Sequence, residues 1–213
     1  MVSAFSPIVE SYLFSWYYSI MENGKVTHDR EWYVYNSSLR DYQNCFADVL
    51  SDAKIESLIS HTPHPTVIDL MAPSGTLAEL FLNTKPQISD QLGISVSLHD
   101  LRTSKEVERD NMLGIVQIAG DITERKTQEE VKKVLDNRKA DLIIERAFAG
   151  IGNLPQKPEF YAKSLQQMWN ILNIDGSMLL QFPYNKDLSD MKVNPLLFVD
   201  TLKSREVFVN YRD

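Results

Sequence analysis

Residues Thr66 to Leu80 (TVIDLMAPSGTLAEL) constrain the fold more than any other stretch of the chain. Thr66 to Leu70 is β-branched and apolar apart from Asp69, the composition of a strand covered on both faces. Pro73, Ser74 and Gly75 then break the run. Thr76 and Glu79 have capping-box spacing, and Leu77, Leu80 and Phe81 follow at helical spacing. A strand that feeds a helix through a short loop aims the helix's free N–H groups and positive end at whatever occupies the loop. In open α/β sheets that crevice, at the carboxyl ends of the strands, is where ligands bind.

The same alternation continues downstream. Ile94 to Leu98 predicts a second strand, with Ile94, Val96 and Leu98 alternating against serines and ending in His99-Asp100. Thr103 and Glu106 predict a capped helix running to about Leu113. Gly114 to Ala119 is a third strand, followed by Gly120-Asp121-Ile122. Thr127 and Glu130 repeat the capping spacing ahead of Val131, Val134 and Leu135. The other face of that helix carries Lys132, Lys133, Arg138 and Lys139, as a solvated face does. Ala140 to Ile144 is a fourth strand, ending in Glu145-Arg146. Leu165, Met168, Trp169 and Leu172 predict a helix that Asp175-Gly176 ends, and Ser177 to Phe182 a fifth strand. A last helix near Leu196 to Lys203 and a sixth strand over Glu206 to Tyr211 complete the pattern. Strands alternating with helices imply an α/β fold: a Rossmann-like, doubly wound, mostly parallel sheet with helices on both faces.

Residues 1–62 read differently. Phe5, Ile8, Tyr12, Leu13, Trp16, Tyr17 and Ile20 form an aromatic stripe at helical spacing. Leu39, Tyr42, Phe46, Val49 and Leu50 mark one side of one or two further helices, and Thr62-Pro63-His64-Pro65 stops them. We expect an N-terminal helical extension over 1–62, a lid or substrate wall, and the sheet domain over 63–213.

The net charge of −7 disfavours a broad grip on nucleic acid or on an anionic membrane. No apolar run approaches the roughly 20 residues of a membrane span, and the N-terminus lacks the pattern of a signal peptide. The lone cysteine, Cys45, forms no intrachain disulfide and fits a reducing, cytoplasmic setting. His61 and His64 are flanked by prolines and give no helical metal pair, so no metal site is expected.

Chemistry concentrates at the strand ends. Asp69 lies in the first strand, Asp100 ends the second, Asp121 follows the third and Glu145 follows the fourth. In a parallel sheet those ends line one edge. A carboxylate at the tip of the second strand is placed to accept ribose hydroxyls, and Asp121 to accept from an adenine amino group. Arg146 can pair with Glu145 or bind a substrate carboxylate, and Tyr184, after Phe182-Pro183, can line a substrate pocket.

Val67-Ile68-Asp69-Leu70 through Gly75, His99-Asp100, Gly120-Asp121-Ile122, Asp141 to Glu145 and Asp175 to Leu180 resemble, in that order, the motifs of class I S-adenosylmethionine-dependent methyltransferases. The resemblance covers about residues 64–184. It implies S-adenosylmethionine as cofactor and places the cradle for its amino acid part on Ala72, Pro73, Ser74 and Gly75, beside Asp69. It gives the ribose to Asp100, adenine to Asp121, and packing on the adenine ring to Ile122. Glu145 and Arg146 fall in the motif where cofactor and substrate meet, which makes Glu145 the candidate catalytic residue.

The sequence departs from that family at two points. Met71 and Pro73 stand where the first loop usually has glycines, and only Gly75 remains. The chain also ends at Asp213 without an evident seventh strand, so the expected sheet edge is left for an oligomer contact or a partner. Two other readings follow: a non-catalytic methyltransferase-like scaffold subunit, and a nicotinamide-dependent oxidoreductase. The missing Gly-x-Gly-x-x-Gly argues against the second. For an enzyme, the expected methyl acceptor is a small molecule or a protein.

Overall fold

The computed structural model describes residues 38–50, 53–70, 72–84, 90–97, 99–122, 124–145 and 167–180. Met71, Arg146, Tyr184, the aromatic stripe, the last helix and the sixth strand expected from the sequence lie outside them. The N-terminal described residues form two short helices, α1 (Leu39–Cys45) and α2 (Ala47–Leu50), and a 3-10 turn over Ile55–Leu58. The alternating part then runs β1 (Thr66–Asp69), α3 (Gly75–Asn83), β2 (Leu92–Ser97), α4 (Ser104–Met112), β3 (Ile115–Ala119), α5 (Arg125–Leu135), β4 (Ala140–Glu145) and β5 (Leu172–Leu180). The described strands form one five-stranded sheet, ordered β3-β2-β1-β4-β5. Every neighbouring pair in it is parallel. The order reverses between β1 and β4, which is the switch point of a doubly wound fold.

Strand alternation feeds two cores. Val67, Leu142 and Ile144 face one side, with Tyr42, Phe46, Ile55, Leu77 and Leu80. Ile68, Ile143, Ile94 and Val96 face the other, with Val131, Leu135 and Met168. Period-2 side chains on a doubly covered sheet produce this division directly. The short N-terminal helices therefore share a core with the sheet. Among the described residues, no helix is long and apolar enough to cross a membrane.

Three local expectations are corrected. Helix α3 begins at Gly75, with Ser74 as its N-cap residue. Thr76 then lies one position into the first turn, fully buried, and makes no capping box with Glu79. The Glu79 carboxylate instead accepts from the Leu39 backbone N–H at 2.7 Å and serves the start of α1. Helix α5 likewise begins at Arg125, so Thr127 sits inside the first turn, 3% exposed, against Gly120. Finally, residues 167–171 are helical, but Leu172 already belongs to β5 and pairs with Ala140. The next pair in register is Leu142 with Ser177, so the intervening residues, Asp175 and Gly176 among them, form a bulge rather than a helix end. A Cβ on Gly176 would come within 2.8 Å of the Ala140 carbonyl oxygen, which leaves glycine as the residue that fits.

Candidate functional site

The parallel order brings the carboxyl ends of β1, β2, β3 and β4 to one edge, and the candidate residues of the described part lie at or just after those ends. The loop after β1 is fixed from both sides. Ala72 and Ser74 are each 1% exposed, and Pro73 is buried. The buried Ser95 hydroxyl, on β2 in register with Asp69, donates to the Ala72 carbonyl. The Leu70 N–H donates to the Ile144 carbonyl at 3.0 Å. Ser95 reads in the sequence only as a polar position in an alternating strand. Its burial and its bond across to the loop come from strand order.

Asp69 is fully buried, and its Oδ1 accepts from the Tyr42 hydroxyl at 3.0 Å. Alternation turns Asp69 toward the first core, where Tyr42 is 1% exposed. Glu145 ends β4 and is 1% exposed. Alternation puts it on the Ile143 face, opposite to Asp69. Ile122 is 7% exposed and belongs to the second core, while Asp121 beside it is half-buried. The Gln128 side chain donates to the Ile122 carbonyl at 2.9 Å and holds that loop.

Asp100 lies after β2 with its side chain 37% exposed. Its carboxylate meets the Arg102 guanidinium in a bidentate pair, Nε to Oδ1 at 2.9 Å and Nη2 to Oδ2 at 2.7 Å. The Arg102 backbone N–H adds a third donor to Oδ1 at 3.1 Å. The side-chain hydrogen bonds from Arg102 hold the Asp100 pKa below the ordinary carboxylate value, against the opposing effect of burial. The same bonds to Asp100 raise that of Arg102 further. Arg102 also reaches Asp110, Nη1 to Oδ2 at 3.0 Å. Asp110 takes a second guanidinium from Arg109, Nη2 to Oδ1 at 2.6 Å.

These residues fit an S-adenosylmethionine-like cofactor in two respects. Ser74 makes no side-chain cap to α3, so the first-turn N–H groups face no side-chain acceptor from it. The Thr76 Oγ1, close behind, is buried with no hydrogen-bond partner among the described residues. A cofactor carboxylate suits such a helix start. Asp100 carries three donors, and a carboxylate has about four acceptor positions, so one stays open to a hydroxyl.

A cleft of about 480 Å³ opens at the other edge of the sheet, where β2 and β3 begin. Gln91, Leu92, Asn111, Gly114, Val116 and Arg138 are among its lining residues, and none of the candidate residues is. Strand topology therefore locates the candidate site.

By strand order and by helices on both faces, the chain is a Rossmann-like α/β protein. No family model and no curated protein matches it. Among solved structures it is similar to an O-methyltransferase family protein from Burkholderia thailandensis, with 17% identity, a TM-score of 0.45 and coverage of 78% of this chain and 44% of that one. The chain thus spans less than half the length of that protein.

Proposed function

We propose that the protein is an S-adenosylmethionine-dependent methyltransferase acting on a small molecule or a protein, in a reducing, cytoplasmic setting. The observation that carries this reading is the ordered set of acidic residues at the carboxyl ends of β1 to β4 in a 3-2-1-4-5 parallel sheet, together with the motif resemblance of residues 64–184. Ala72 to Gly75 would hold the amino acid part of the cofactor, Asp100 a ribose hydroxyl, and Asp121 the adenine edge. The cofactor supplies an electrophilic sulfonium methyl. The protein's part is to hold an acceptor in line with it, a task of positioning more than of proton transfer. Residues 1–62 are then a wall or lid for that acceptor.

Calorimetric titration with S-adenosylmethionine and with S-adenosylhomocysteine, with NADH as control, tests the reading. Micromolar binding of the first two and none of NADH is the expected result. Glu145→Gln tests the catalytic assignment: turnover falls while cofactor binding persists. Unchanged turnover would remove Glu145 from the chemistry.

Two observations favour a second reading, a non-catalytic scaffold subunit. The Asp100 carboxylate is already gripped by Arg102, and Met71 and Pro73 replace loop glycines. Absence of binding by either sulfur compound to the folded protein would make that reading the leading one.

A further inference from the structure

Helix α4 docks on the sheet in an unusual way. Its one fully buried residue is a charged one, Asp110, at 0% exposure. A carboxylate in such a place needs paired charge and good geometry. Two arginines supply both. Arg102 gives Nη1 to Oδ2 at 3.0 Å, and Arg109 gives Nε at 2.9 Å and Nη2 at 2.6 Å to Oδ1. Asp100 completes a cluster of two carboxylates and two guanidiniums, formally neutral.

We infer that Asp110 is a positioning residue for the ribose end of the cofactor site: it locks the Arg102 guanidinium, which in turn fixes the carboxylate of Asp100. The inference rests on the cofactor reading given above. Arg102 is 10% exposed and held between the two aspartates, Asp110 on Nη1 and Asp100 on Nε and Nη2. A planar fork so fixed dictates where a bidentate partner sits. Asp100 lies in a short connection between β2 and α4, with its side chain 37% exposed, so its direction needs this support. The same hub leans on the first loop, since the Arg109 Nη2 lies 3.5 Å from the Ser74 Oγ. Asp110 therefore stands behind both polar ends of the site without facing a ligand. It acts through Arg102 and Arg109.

A structural role and a positioning role make different demands. If Asp110 merely anchors α4, its loss weakens every ligand alike. If it aims Asp100, its loss erases discrimination for the ribose hydroxyls. The probes are S-adenosylhomocysteine and its 2′,3′-dideoxy form, titrated into the full chain. Wild type should prefer the hydroxylated probe by about tenfold or more, the worth of a hydrogen bond to a charged group. In Asp110→Asn that preference should collapse toward unity. Arg102→Lys keeps the charge beside Asp110 but removes the fork, and it decides the matter if Asp110→Asn does not fold. It too should lose the preference. Equal preference in wild type and Arg102→Lys overturns the inference, as does a wild type that binds both probes equally while the cofactor reading stands. A wild type that binds neither probe overturns the cofactor reading first, and the inference with it.

Discussion

Asp69 and Asp100 both mark strand ends, yet the fold holds them in opposite ways. Asp69 is sealed in the core with Tyr42 as a donor, whereas Asp100 stands at the surface on an arginine fork. Tyr42→Phe removes a buried donor and leaves the ring in place. It should cost about 1–3 kcal/mol, the worth of a buried hydrogen bond to a carboxylate, read as a lower urea midpoint at constant m. An unchanged midpoint would show that the 3.0 Å bond contributes nothing net. Asp100 makes a pH-dependent prediction. Its folded pKa is depressed by the Arg102 hydrogen bonds. A depressed carboxylate gives stability that is present above the unfolded pKa, about 3.9, and lost as pH falls through the folded value. Asp100→Asn should therefore be less stable than wild type at neutral pH, and the gap should narrow once pH drops below about 3.9. A gap that persists unchanged into acid would assign the effect to packing rather than charge.

At the scale of elements, three Thr-x-x-Glu spacings read alike in the sequence, and one of them caps a helix. Thr103 Oγ1 accepts from the Glu106 N–H at 3.4 Å, and the Glu106 carboxylate accepts from the Thr103 N–H at 2.7 Å. Thr76 and Thr127 have the same neighbours but lie inside first turns, facing the interior. A threonine methyl buries as readily as its hydroxyl caps, and the local sequence does not separate the two uses. Thr103→Ala should cost about 1 kcal/mol through the lost cap, seen in thermal unfolding together with faster amide exchange over the first turn of α4. Stability equal to wild type would show that the Arg102–Asp110 pair alone holds that helix. Strands β1 to β4 were legible for a plainer reason: apolar β-branched runs such as Ile68, Ile94 and Ile143 have one place to go in a covered sheet. The start of β5 was not, because Leu172 suits a helix stripe and a strand equally. Its pairing with Ala140 is a long-range fact. The acidic strand ends were visible in sequence, but the arginines that hold Asp100 and Asp110 were not. Arg102 and Arg109 look like ordinary surface charge until α4 folds back on the sheet.

At the scale of the molecule, the candidate site spans separate crossovers. The first loop is tied to β2 by Ser95 and to β4 through Leu70, and Arg109 brings α4 to the edge of that loop. A ligand that touches both Ser74 and Asp100 ties the loops after β1 and β2 to each other, so its binding should register as global stability. At 100 times its dissociation constant, a ligand that binds only the folded state adds about 2.7 kcal/mol. For a chain of 213 residues, 1 kcal/mol shifts Tm by roughly 2–4 °C, so S-adenosylhomocysteine at that excess should raise Tm by about 5–10 °C. Ser95→Ala loosens the loop without removing any group expected to touch ligand. It should lower affinity, so that at a fixed ligand concentration the shift shrinks, and more ligand restores it. A shift of the same size in Ser95→Ala at every concentration would mean that the β2 tie does not shape the loop for binding. A shift produced equally by NADH would mean that the crevice recognises the adenosine half alone, which would move the assignment away from a sulfonium donor and toward dinucleotides.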